Sequence, residues 1–161
     1  MALFALTREI TMFGRVADRS SATDMRKMRE STMKSLVTED DATMRKLLKT
    51  FLSRYGSCDV ALDGKQAVDA VRLARQNHRS YDLVCMDLRM PVMDGQEAIR
   101  EIRKDETAEG VAKPVQIIVT TVQTDMEDIT TALLGRCNAY LVKPIETAKL
   151  KKELKALGLI Q

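Results

Sequence analysis

Short apolar runs alternate along the chain with longer amphipathic stretches, and this alternation restricts the possible folds more than any other feature of the sequence. The runs have the length of buried strands and are Ser35–Thr38, Cys58–Leu62, Leu83–Asp87, Val115–Thr120 and Ala139–Val142. Strands separated by helices are typical of βαβ units, in which successive strands are parallel and helices cover both faces of the sheet. The sequence therefore predicts an α/β protein with a parallel sheet.

The stretches between the runs have helical periodicity. The first carries Met44, Leu47, Leu48, Phe51 and Leu52 at i, i+3, i+4, i+7 and i+8. Four further helices are predicted. One carries Ala67, Val71 and Ala74 on one face, and the next begins at Asp94 and carries Ala98, Ile99 and Ile102. The last two run near Met126–Leu134 and along the stretch with Leu150, Leu154 and Leu157. Five strands alternating with five helices make a doubly wound three-layer sandwich, most simply with the flavodoxin-like strand order 2-1-3-4-5.

Residues 1–32 do not continue this pattern, so we divide the chain into this N-terminal extension and a domain over residues 33–161. Leu3, Leu6, Ile10 and Phe13 could form one face of a short helix, and the polar residues 18–24 that follow have the composition of a linker. Met33 stands directly before the first strand and could serve as a start codon. The extension is therefore a tag, the product of a misassigned start, or a docking helix.

Composition excludes several classes of protein. The net charge of +3 comes from interspersed charges without a basic stripe and interleaved aromatics, which argues against nucleic-acid binding. No apolar stretch approaches the roughly 18 residues that a membrane span requires, and charges occur too early for a signal peptide. The three cysteines are widely spaced and have no CxxC pair, as expected in a reducing compartment. We expect a cytoplasmic protein without membrane or nucleic-acid partners.

Polar side chains stand where the predicted strands end. Glu39-Asp40-Asp41 follows the first strand, Asp87 ends the third, Thr120-Thr121 ends the fourth, and Lys143-Pro144 follows the fifth. In a doubly wound sheet these ends meet at one edge, which is where ligands bind. Carboxylates crowded there suit Mg²⁺, and Lys143 would neutralise the remaining charge. The set predicts phosphoryl transfer, with the Asp87 carboxylate as the nucleophile.

These motifs, in this order and spacing, resemble the response-regulator receiver family. The resemblance covers residues 33–161 and rests on Leu36-Val37-Thr38-Glu39-Asp40-Asp41, Met86-Asp87-Leu88-Arg89-Met90-Pro91-Val92-Met93-Asp94-Gly95, Ile118-Val119-Thr120-Thr121 and Tyr140-Leu141-Val142-Lys143-Pro144. It implies a stand-alone, CheY-like member of the chemotaxis type.

The resemblance also implies a role for each acidic residue of the site. Asp87 is expected to be the phosphoacceptor. Asp40 and Asp87 are expected to bind Mg²⁺ directly, with the backbone carbonyl of Arg89 as the third protein ligand. Glu39 is the other member of the acidic pair, which often acts on the ion through water.

The remaining family positions concern the phosphoryl group and the response to it. Thr120 matches the switch hydroxyl that bonds a phosphoryl oxygen, and Lys143 matches the cation that pairs with another phosphoryl oxygen. The bond between this lysine and the proline after it is typically cis in the family. Tyr140 matches the aromatic residue whose position reports activation. Thr121 is bulkier than the usual Ala or Ser and is expected to narrow donor access. Arg89 and Val122 occupy variable positions that, in this family, influence how fast phosphate is lost.

The resemblance implies a phosphoacceptor in a two-component phosphorelay rather than an enzyme with a separate substrate. A histidine kinase or phosphotransfer protein would donate the phosphoryl group, and the chain would catalyse only its own phosphorylation and dephosphorylation. An output protein would bind the face formed by the predicted helix near Met126–Leu134, the fifth strand and the last helix.

Other functions stay open on the sequence. A Mg²⁺-dependent phosphohydrolase with an Asp nucleophile usually has a second Asp two residues later, where this chain has Arg89. A nucleotide-binding module of the flavodoxin type would need a phosphate loop after the first strand, where this chain has acidic residues. A receiver could also act as a phosphate-transfer intermediate or a dimerisation module.

Overall fold

The computed structural model describes residues 33–122 and 136–161. In chain order the elements are β1 (Ser35–Thr38), α1 (Ala42–Leu52), β2 (Cys58–Ala61), α2 (Gly64–Gln76), β3 (Leu83–Asp87), α3 (Gly95–Ala108), β4 (Gln116–Thr121), β5 (Ala139–Val142) and α4 (Thr147–Ala156). In the part of the chain that the structure describes, no helix has the length and apolar character needed to cross a membrane. The predicted helix near Met126–Leu134 and the whole extension 1–32 lie outside the described residues.

The five strands form one parallel sheet in the order β2-β1-β3-β4-β5, which confirms the predicted architecture. The strands differ from prediction at three ends: β4 runs one residue further, to Thr121, and the other two differences have local reasons. Leu62 leaves β2 because its N–H bonds the Gln66 side chain at 3.1 Å. Val115 does not begin β4 because its N–H bonds the buried carboxylate of Glu106 at 2.7 Å.

Side chains of each central strand alternate between two hydrophobic cores. Val84 and Met86 pack on the side covered by α2 and α3, whereas Leu83 and Cys85 pack on the side covered by α1 and α4. Because successive residues of a strand point to opposite faces, register decides which strand-end residues share a side. This alternation positions the candidate site.

Three helices begin with an aspartate that accepts a hydrogen bond from a backbone N–H in the first turn. The bonds are Met44 N–H to Asp41 at 2.7 Å, Gln66 N–H to Asp63 at 2.8 Å, and Glu97 N–H to Asp94 at 2.8 Å. Such caps satisfy donors that the helix itself leaves unpaired. They fix where these helices start at the carboxyl edge of the sheet.

Ion pairs join α2 and α3 along their exposed sides. Arg72 Nε lies 2.5 Å from Asp105 Oδ2, and Arg75 makes a two-bond contact with Glu109, each bond 3.0 Å long. Hydrogen bonding to Arg72 lowers the pKa of Asp105 below its usual value. The two helices are therefore held by charge as well as by their buried apolar faces.

Candidate functional site

Register brings the polar strand ends to one side of the carboxyl edge. Asp87 pairs with Thr120, and Thr120 pairs with Leu141, which packs in the core beside α1 and α4. Lys143 follows two residues after Leu141, and Glu39 follows two residues after Val37 of the same core. Side-chain alternation therefore places all four polar groups on the α1–α4 side of the sheet.

Lys143 joins the two buried carboxylates. Its Nζ lies 2.9 Å from Asp87 Oδ2 and 3.0 Å from Glu39 Oε2. Asp87 is 5% exposed and Glu39 is 0% exposed, so both charges need a partner. Burial acts to lower the pKa of Lys143, but hydrogen bonds and attraction from Asp87 and Glu39 outweigh it and raise that pKa. Lys143 therefore stays a cation between the acids.

The single positive charge of Lys143 does not fully compensate the negative charges of Glu39 and Asp87. Burial raises the pKa of Glu39, and the charge of Asp87 adds to this, while Lys143 and the N–H of Asp41 oppose it without cancelling it. Glu39 Oε2 is within ion-pair distance of Lys143 but makes no hydrogen bond in the described part of the chain. A further positive group would be stabilised here.

The carboxylates are close enough to share a metal ion. One oxygen each from Glu39, Asp40 and Asp87 lies within 4.8 Å of the others, and Asp40 is exposed while its two neighbours are buried. Hard oxygen donors with one solvent-facing side fit Mg²⁺, which keeps several waters in proteins. Arg89 follows on an exposed part of the loop, and the role of its carbonyl stays a prediction.

The Thr120 hydroxyl has no hydrogen-bond partner among the described residues, although Thr120 is only 1% exposed. Leaving a buried hydroxyl unpaired costs about 1–3 kcal/mol. Its register position beside Asp87 offers this donor to an acceptor bound at that carboxylate. Thr38 Oγ1 is also buried and unpaired in the described ranges, and nothing in the structure explains it.

Arg45 holds the loop that carries the acidic pair, a role that the sequence analysis missed. Its guanidinium donates hydrogen bonds to the backbone carbonyls of Glu39 at 2.8 Å and Asp40 at 2.9 Å. A cation in the first turn of a helix opposes the helix dipole, and this unfavourable placement was the available signal. The two bonds fix the peptides from which both carboxylates project.

The loop after Asp87 returns tightly onto the end of β3. The N–H of Gly95 bonds the carbonyl of Leu88 at 2.9 Å, and a Cβ on Gly95 would overlap the carbonyl oxygen of Asp87. Within the loop the N–H of Met93 bonds the carbonyl of Pro91 at 2.8 Å, which places Val92 at the centre of a γ-turn with φ of 69°. Only glycine allows the close return at position 95.

Tyr140 lies on the other side of the sheet from Asp87. It pairs with Val119 and packs against the core beside α2 and α3. Alternation puts Thr121, which is 2% exposed, on the side of Tyr140 and Thr120 on the side of Asp87. Burial, with a hydrogen bond to Cys137, raises the pKa of Tyr140 to about 12. Any coupling from Thr120 to Tyr140 therefore has to cross β4, and that coupling stays a prediction.

Comparisons with known proteins identify relatives of this chain. Residues 36–155 match the model of the response regulator receiver domain. A chemotaxis protein CheY homolog of Campylobacter jejuni is 34% identical over 76% of this chain and 89% of its own length. Chemotaxis protein CheY1 of Helicobacter pylori is 34% identical over 78% of this chain and 96% of its own length.

Solved receiver structures have the same fold. The Saccharomyces cerevisiae Ssk1 receiver domain, crystallised with the histidine phosphotransfer protein Ypd1, gives a TM-score of 0.69 with 30% identity, over 80% of this chain and 90% of that one. The receiver domain of a Pseudomonas aeruginosa sensor histidine kinase has magnesium coordinated in its active-site cleft. It gives a TM-score of 0.64 with 32% identity, over 80% of this chain and 99% of that one. The chain belongs to the response regulator receiver domain family.

Proposed function

We propose that this receiver domain accepts a phosphoryl group on Asp87 as a component of a two-component phosphorelay. The observation that carries the assignment is the buried group formed by Asp87, Lys143 and Glu39, with the unpartnered Thr120 hydroxyl in register beside it. Membership of the receiver family supports the same function. Signalling is therefore the role of the chain, and its chemistry is confined to its own phosphorylation and dephosphorylation.

The site residues divide the work of phosphoryl transfer. An Asp87 oxygen attacks phosphorus, so a P–O bond forms as the P–N bond of a phosphohistidine breaks and its electron pair returns to the imidazole nitrogen. Lys143 neutralises charge beside Asp87, and the Thr120 hydroxyl donates to an oxygen of the bound phosphoryl group. Glu39, Asp40 and Asp87 would hold Mg²⁺, which supplies charge neutralisation for phosphoryl oxygens.

The donor in this proposal is a histidine kinase or a histidine phosphotransfer protein. The Ssk1 receiver domain supports this class of partner, because it was crystallised with the phosphotransfer protein Ypd1. The output partner is proposed to bind the face that includes β5 and α4. Phosphorylation adds negative charge and acceptor oxygens at the sheet edge, and Lys143 immediately precedes the segment that leads into α4.

Labelling with a small-molecule donor tests the acceptor assignment. Acetyl phosphate with Mg²⁺ should phosphorylate the chain once, as measured by intact mass, and Asp87→Asn should abolish the added mass because the amide is not a nucleophile of this kind. Asp69→Asn, an equal change at an exposed position on α2, should be labelled like the unmodified chain. Undiminished labelling of Asp87→Asn would move the acceptor elsewhere.

A further inference from the structure

The phenol of Tyr140 is hydrogen-bonded to the thiol of Cys137, three residues earlier in the chain, and we call this bond the Tyr140–Cys137 contact. Both side chains are partly buried against the core beside α2 and α3. Burial raises the pKa of each group, and the bond between them raises the pKa of the phenol further but lowers that of the thiol. These opposite effects are those of a phenol O–H that donates to Sγ.

The Tyr140–Cys137 contact directs the phenol away from the candidate site. Tyr140 pairs with Val119, which comes one residue before Thr120, the register partner of Asp87. Cys137 precedes β5 and therefore lies toward the amino edge of the sheet, opposite the carboxyl edge that carries the site. A phenol bonded to Cys137 leans along β5 toward the amino edge, so its hydroxyl is directed away from Asp87.

Hydrogen bonds from α3 hold the residues on both sides of Cys137. Arg103 Nε donates to the carbonyl of Arg136 at 2.8 Å, and Arg103 Nη2 lies 3.4 Å from Asn138 Oδ1. The guanidinium is itself paired with the buried carboxylate of Glu106. Asn138 Oδ1 also accepts a backbone N–H of β4 at 2.8 Å. The position of Cys137 is therefore fixed by α3 and β4, and the phenol is bonded to a thiol that cannot follow it.

We infer that the Tyr140–Cys137 contact restrains Tyr140 in its present position and so opposes the rearrangement that follows phosphorylation of Asp87. The inference rests on the proposed function, which supplies the group to which Tyr140 responds. Any movement of the phenol away from Cys137 breaks the bond, so the contact favours the resting arrangement over the responding one. Its loss should raise the population of the responding arrangement about threefold, a small effect because sulfur is a weak acceptor.

Fluorine NMR of the unphosphorylated full chain tests the contact itself. The chain has three tyrosines, Tyr55, Tyr81 and Tyr140, so incorporation of 3-fluorotyrosine gives three signals, of which Tyr140→Phe removes the one to be followed. Cys137→Ala should move the Tyr140 signal and leave the other two in place. Cys58→Ala removes a half-buried thiol on β2, and as the matched control it should not move the Tyr140 signal.

A titration with beryllofluoride and Mg²⁺ tests the restraint. In Cys137→Ala the beryllofluoride concentration that gives half of the chemical-shift change across β5 and α4 should fall about threefold, because more of the chain already has the arrangement that binds the mimic. Cys137→Ser keeps an acceptor for the phenol, and a hydroxyl accepts more strongly than a thiol, so this concentration should not fall. Cys58→Ala should respond like the unmodified chain.

Three results would overturn the inference. The first is a Tyr140 signal that does not move in Cys137→Ala. The second is a moved signal with an unchanged beryllofluoride midpoint, since the bond would then exist without restraining the phenol. The third is an equal fall of the midpoint in Cys58→Ala, which would indicate general loosening. Failure of acetyl phosphate to label the unmodified chain would instead count against the acceptor assignment, and the fluorine signals would still decide whether the contact exists.

Discussion

At the scale of single residues, Lys143 and Thr120 have complementary roles in the function proposed for Asp87. Lys143 already contacts the carboxylate at 2.9 Å, whereas the Thr120 hydroxyl is buried without a partner in the described ranges. The cation thus stabilises the carboxylates as they stand, and in the proposed function the hydroxyl gains a bond only when a phosphoryl group arrives at Asp87. The proposal therefore separates formation of the site from the response to phosphate.

Thr120→Ala should therefore preserve labelling of Asp87 and reduce the conformational response. The expected measurement is smaller chemical-shift change across β5 and α4 when a beryllofluoride phosphoryl mimic is added, because the hydroxyl that senses it is gone. Thr121→Ala, which removes the same hydroxyl on the other side of β4, is the control for loss of a buried threonine. Changes of unmodified size in Thr120→Ala would refute the coupling.

At the scale of elements, the alternation of strand side chains and the aspartate caps of the helices explain why most elements could be predicted from the sequence. The bounds of β1, β3 and β5 were correct because apolar runs and polar strand ends are visible locally. Val115 was assigned wrongly because a carboxylate nine residues away takes its N–H. The ion pairs between α2 and α3 were also invisible in the sequence, since they join residues 33 and 34 positions apart.

Asp105→Asn tests whether the pair with Arg72 stabilises the domain. The free energy of unfolding should fall by up to about 1 kcal/mol at pH 7, a small value because the pair is partly exposed. The pKa of Asp105 is lowered from 3.8, so its contribution is present above that value and is lost as pH falls through the folded-state pKa. Urea denaturation at pH 7 and at a pH below the folded-state pKa of Asp105 should show the difference only at the higher pH. A pH-independent difference would point to packing instead.

At the scale of the whole molecule, the site combines residues that are distant in sequence. Lys143 and Glu39 are 104 positions apart, and parallel topology alone brings them to one edge. Their convergence could be predicted because strand order follows from the βα alternation, but the direct bond between them could not. The division between residues 1–32 and 33–161 stays a prediction.

Mg²⁺ should stabilise the whole domain by relieving repulsion among the acids. At ten times the dissociation constant the expected gain in unfolding free energy is about 1.4 kcal/mol. Asp40→Asn should lose most of that gain while unfolding at higher denaturant than the unmodified chain without metal. Asp41→Asn is the matched control, because it keeps a capping side chain and leaves the acidic group intact. An unchanged Mg²⁺ effect in Asp40→Asn would place the ion elsewhere.

The placement of Thr120 and Thr121 on opposite sides of β4 has a consequence for how such proteins diverge. With Asp87 as the proposed acceptor, substitutions on the Thr120 side should alter acceptor chemistry, whereas those on the Thr121 side should alter packing beside Tyr140. Adjacent positions of one strand would then be selected separately during evolution. After gene duplication, a copy could acquire a new output partner while the proposed phosphorylation chemistry remains under the original constraint.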